Sequence, residues 1–138
     1  MHSTIIRLRQ ILSNEPDYVL TIKQPLFSKA RPRMTRSGHT YMPDAYKQAQ
    51  RWMRNQIKEQ WSGEPLEGPL LLAVLTQGEG RGDSDNIQGA FMDAAVGIVF
   101  KDDRVKIIPT TIFDWTIAPK KRSSWEVMIW DLSQKRYG

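Results

Sequence analysis

A chain of 138 residues has room for one hydrophobic core and too little apolar surface for two, so residues 1–138 read as a single domain. Lys and Arg number 20 against 15 Asp and Glu, for a net charge of +5 and a pI of about 9.6, a balance found in nucleic-acid binders and also in many ordinary enzymes. Cysteine is absent, which excludes a disulfide framework and any thiolate metal site, and points to a reducing, cytoplasmic setting.

The first residues, Met1-His2-Ser3-Thr4, carry no signal-peptide pattern, and no later apolar run nears the roughly 20 residues of a membrane span. Ile5 to Leu12 is amphipathic but too short for a stable isolated helix, so residues 1–15 read as an extension that docks on the domain or on a partner. Tyr18 to Ile22, β-branched and aromatic between Pro16-Asp17 and Pro25, predicts a first strand. The loop from Ser28 to Gly38 follows, irregular and cationic through Lys29, Arg31, Arg33 and Arg36, with a short strand expected at His39 to Met42.

From Pro43 to Trp61 the apolar positions Ala45, Ala49, Trp52, Met53, Ile57 and Trp61 fall at helical spacing. Leu70 to Leu75 is too continuously apolar for a half-exposed strand and predicts a central strand covered on both faces. After a glycine-rich connection, Ile87, Ala90, Phe91, Ala94 and Ile98 mark a second helix over 83–99 that starts at an acidic motif. Lys101-Asp102-Asp103 makes the turn out of it, Val105 to Phe113 predicts a strand bent at Pro109, and Ser124 to Trp130 a last strand. The order implies a small α+β domain, two main helices on a mixed sheet.

Acids gather at both ends of the second predicted helix: Asp83 and Asp85 where the chain enters, Asp102 and Asp103 where it leaves. With no thiolate present, a metal must sit on oxygen, or on His2 and His39, and carboxylates are the natural ligands of a hard divalent ion such as Mg²⁺. For the three to meet, the outgoing turn must fold back beside the incoming loop. Each acid also has a structural reading: Asp83 or Asp85 as a helix cap, Asp102-Asp103 as a solvated turn. Spacing alone leaves both open.

The motifs taken together resemble those of a known family. Asp83-Ser84-Asp85-Asn86, then Asp93-Ala94, then Lys101-Asp102-Asp103-Arg104, preceded by Lys29-Ala30-Arg31-Pro32-Arg33 and Gly38-His39-Thr40-Tyr41-Met42-Pro43, resemble the signature of RusA-like Holliday-junction resolvases across about residues 18 to 130. The resemblance implies a homodimeric endonuclease that cuts branched DNA, such as four-way junctions, by phosphodiester hydrolysis with Mg²⁺, or Mn²⁺ as substitute. By position it makes Asp83, Asp85 and Asp103 the metal-binding and catalytic carboxylates, with Asp102 and Asp93 in supporting roles. A phage or prophage origin fits such a family. Lys29, Arg31, Arg33, Arg36, Asn86 and the second basic run, Lys120, Lys121 and Arg122, become candidate DNA contacts, though charged loops are more often merely solvated.

One position departs from the pattern. The family's catalytic lysine falls on Gly89, which supplies no cation, so Lys101, Lys106, Arg31 or Arg33 is expected to replace it, with Lys101 the first choice as a further catalytic residue. The alternative is a branched-DNA-binding relative without efficient chemistry. Trp52, Trp61, Trp125 and Trp130 are expected in the core or an interface.

Overall fold

Alternating burial along the strands and a narrow apolar stripe on each helix sort the chain into one mixed sheet with helices on both faces. The computed structural model describes residues 2–137, so Met1 and Gly138, the ends of the expected 1–138 domain, lie outside the described residues. In chain order the elements are α1 (Ser3–Leu12), β1 (Tyr18–Ile22), β2 (Arg33–Met34), β3 (Thr40–Tyr41), α2 (Asp44–Gln60), β4 (Leu70–Gly78), α3 (Ser84–Ala95), β5 (Thr110–Ile117) and β6 (Ser124–Asp131), with 3-10 turns at Lys120–Arg122 and Lys135–Tyr137. The main sheet runs β1-β6-β4-β5, and β2 and β3 form a separate two-stranded hairpin.

The longest strand is also the most buried. β4 lies between β6, antiparallel, and β5, parallel, so both of its faces are covered, as its unbroken apolar run requires. Leu70, Leu72 and Val74 face α2 and α3 together with Trp125, Val127 and Ile129 of β6, and meet Met53, Ile57, Phe91 and Ala94 of the helices. Leu71 and Ala73 face the other way, where Trp130 and Ile11 of α1 close a smaller cluster. The N-terminal stretch thus docks on its own domain, and its one buried residue, Ile11, is the anchor.

Because β4 and β5 are parallel, α3 must cross back over the sheet between them. Phe91 is fully buried at the centre of that crossing. Truncating Phe91 to Ala is expected to cost about 3–5 kcal/mol of stability by urea unfolding. Ile117→Ala, at a residue 76% exposed on β5, is expected to change it by less than about 0.5 kcal/mol.

Three expectations change. The helix read over 83–99 ends at Ala95, because Gly97 takes φ +83° and its N–H donates to the Phe100 carbonyl, turning the chain. Residues 105–108 are a turn rather than a strand: the Arg104 carbonyl accepts from both Ile107 and Ile108 N–H groups, and the strand starts after Pro109. Of the two places expected for Trp52, core and interface, the core is excluded, since it is 52% exposed and the buried face of α2 runs through Tyr46, Met53 and Ile57. Trp125 and Trp130 are buried as expected, and Trp61 is half-buried against Tyr18.

Candidate active site

Gly82 turns the chain from β4 into α3. It takes φ +93°, and a Cβ there would lie 2.2 Å from Ser28 Oγ, so only glycine fits the close approach of the basic loop to this turn. Asp83 is the N-cap of α3, yet its side chain makes no capping hydrogen bond. Asp85, one turn-position further, accepts only locally, from the Asn86 N–H at 3.0 Å. Both carboxylates are exposed, and the structural role that would have explained Asp83 is not used.

Asp102 and Asp103 differ in the same way. Asp102 accepts from the Asp103 N–H at 2.8 Å and pairs with Arg104 at 2.7 Å, and that backbone bond, then the Asp103 side chain and then the arginine, lower its pKa. Asp102 is therefore a turn residue. Asp103 is exposed, with its own backbone N–H given to Asp102.

Asp103 does not stand beside Asp83 and Asp85 within one chain. Residues 101–107 lie along the start of β4, where Lys101 N–H donates to the Leu66 carbonyl and Leu70 N–H to the Ile107 carbonyl. Asp83 follows the other end of that strand, whose nine residues span roughly 27 Å. Among the described residues no three His, Asp or Glu side chains are gathered closely enough to hold a metal ion. The fold-back that a meeting of all three within one chain would require is not what the crossover gives: a parallel β4-α3-β5 connection puts the two ends of α3 at opposite ends of the sheet. Lys101 shares the far end with Asp103 and is hydrogen-bonded to Glu67 at 2.7 Å, which raises its own pKa and lowers that of Glu67.

The end that holds Asp83 and Asp85 is strongly cationic. The turn Lys120–Arg122 sits there because Gln77 Nε2 donates to the Arg122 carbonyl and Ala118 N–H to the Gly78 carbonyl. An open groove of about 730 Å³ is lined by Lys23, Gln24, Gln77, Lys120, Lys121 and Arg122, without an acid among its lining residues. Lys23, Gln24 and Gln77 had no signal in the sequence, since only the antiparallel pairing of β4 with β6 and of β1 with β6 brings them to this end. On the other side of the acidic pair, the Lys29 N–H donates to the Asn86 carbonyl at 2.8 Å, fixing the base of the basic loop on the first turn of α3. The β2–β3 hairpin extends from there with Arg31, Arg33 and Arg36 exposed.

Asp93 faces inward from α3. It accepts from Tyr46 Oη at 2.7 Å and from Gln50 Nε2 at 3.4 Å, and lies 3.7 Å from Lys29 Nζ. Burial, and then the hydrogen bond to Asp93, push the Tyr46 hydroxyl well above its ordinary pKa, so it stays protonated and keeps donating. Asp93 thereby ties α2, α3 and the basic loop together.

The donor chemistry suits a hard divalent ion, since exposed carboxylate oxygens are what Mg²⁺ prefers, and one chain brings two of the three candidate carboxylates to one place. Over residues 24–129 the chain matches the family model described as Endodeoxyribonuclease RusA. No curated protein matches it.

Proposed function

Since the chain belongs to the RusA endodeoxyribonuclease family, we propose that it is a divalent-metal-dependent endonuclease that resolves Holliday junctions or other branched DNA, acting as a homodimer. The single observation that carries this reading is the exposed pair Asp83 and Asp85, neither of them bonded beyond the first turn of α3, at the end of the sheet that also carries the cationic turn Lys120–Arg122 and the base of the basic loop. Acids that neither cap nor pair are costly beside DNA unless a cation joins them.

Asp83 and Asp85 would hold the ion, Mg²⁺ with Mn²⁺ as substitute, and Asp103 would complete the set from a second copy, because its own chain keeps it a strand length away. When bound, the ion supplies charge withdrawal at the phosphodiester and a more acidic water. The chain's own residues do the rest. Lys120, Lys121 and Arg122 on one side, and Arg31, Arg33 and Arg36 with Asn86 on the other, would hold backbone phosphates and set where the duplex arms lie, without reading sequence. Two-fold symmetry would present two such sites to opposed strands of a junction. Lys101, tied to Glu67, would come to the site only with Asp103, from the partner.

Purified protein is expected to introduce paired nicks in a synthetic four-way junction in Mg²⁺, to leave linear duplex intact, and to stop in EDTA. Gly89 favours a second reading, since α3 carries no Lys or Arg: a relative that binds branched DNA and cuts it poorly. Tight junction binding with no nicking in either Mg²⁺ or Mn²⁺ would establish that reading instead.

A further inference from the structure

Hydrolysis at the acidic pair calls for a cation near the substrate phosphate, and the helix that bears the pair carries no Lys or Arg. The neighbouring basic loop does. Lys29 is pinned to the first turn of α3 by its backbone bond to Asn86, and its side chain then runs along the helix over Gly89. A Cβ at Gly89 would meet Lys29 Cδ at 3.6 Å and Cβ at 3.8 Å, ordinary packing distances. The helix face at Gly89 is thus covered by the aliphatic stem of a lysine from another part of the chain.

Resting on the nuclease reading above, we propose that Lys29 supplies the cation at the Asp83–Asp85 end of α3, reaching the substrate phosphate across Gly89. Its stem is roughly 6 Å long and flexible, and it starts level with Asn86, next to Asp85. In the structure its ammonium rests 3.7 Å from Asp93, with 46% of the side chain exposed. So loose and open a pair releases the ammonium at little cost, and a phosphate brought to Asp83 and Asp85 offers it a closer anion. Arg81 is the other cation of this turn, but its side chain is 91% exposed and lies 4.0 Å from Glu79, with no contact that directs it to α3. Lys29 is the one held on the helix at both ends.

A side chain at position 89 would start in contact with the Lys29 stem, so a lysine there can stand in for the one from the loop, and that is the basis of the test. Lys29→Met keeps the apolar stem over Gly89 and removes the charge. Single-turnover cleavage of a four-way junction in Mg²⁺ is expected to fall about a hundredfold, while the junction Kd measured in EDTA weakens only about threefold, the scale of one lost phosphate contact, and the melting temperature stays close to wild type. Lys29→Arg should retain most of the rate, and Lys29→Ala combined with Gly89→Lys should recover much of what Lys29→Ala loses. Cleavage by Lys29→Met at the wild-type rate overturns the proposal while leaving the nuclease reading intact. A wild type that binds junctions without cutting them overturns both.

Discussion

Asp85→Asn is expected to abolish junction cleavage while leaving the protein folded and bound to DNA. The side chain is exposed and its one hydrogen bond, from the Asn86 N–H, is one that an asparagine oxygen can accept equally well, so the N-terminus of α3 should form as before. What is lost is the charge. A neutral amide is a poor ligand for a hard cation and does not balance the ion's charge, and a loss of at least about a hundredfold in single-turnover rate is the scale for removing a principal electrostatic element of such a site. Binding should not weaken, because one negative charge fewer faces the phosphates, and it should tighten most at low salt. Cleavage by Asp85→Asn at a rate near wild type would sink the assignment of the acidic pair. Equal loss of binding and cleavage would mean that Asp85 shapes the DNA surface instead.

Much of this arrangement was legible in the sequence, and the reasons for the rest are specific. Leu70 to Leu75 announced a strand covered on both faces, and Ile87, Ala90, Phe91 and Ala94 a helix, because burial leaves local patterns. The Val105 to Ile108 run looked like a strand by its β-branched residues, yet the Leu70 N–H takes the Ile107 carbonyl at the sheet edge and the segment stays a turn. Tertiary pairing, invisible in the window, overrode propensity. The site was legible as motifs and not as a place: Asp83, Asp85 and Asp103 were found by order along the chain, whereas their separation follows from β4 and β5 being parallel. Gly89 had a signal that could be read further. With no side chain at that point of the helix, the face is covered from elsewhere, and by what depended on how the loop carrying Lys29 packs.

Co-expressing Asp85→Asn and Asp103→Asn chains under two different tags, and isolating the mixed species, is expected to restore cleavage that neither variant shows alone. Suppose each site takes Asp83 and Asp85 from one copy and Asp103 from the other. A mixed dimer then has one site with both substitutions and one with neither, so about half the wild-type nicking should return. The product should change as well, since a single intact site nicks one strand and leaves the junction unresolved. This follows from the strand length that separates the two ends of α3 in one chain, and it discriminates sharply. If one chain brought its own three carboxylates together on binding DNA, by moving residues 101–107 away from the start of β4, each chain of the mixed dimer would still carry one lesion and no activity would return. Breaking the Leu70 to Ile107 backbone bond and the bond from Lys101 N–H to the Leu66 carbonyl would be the cost of that movement, with the sheet edge left unpaired. A second copy would bring the third carboxylate without disturbing the sheet.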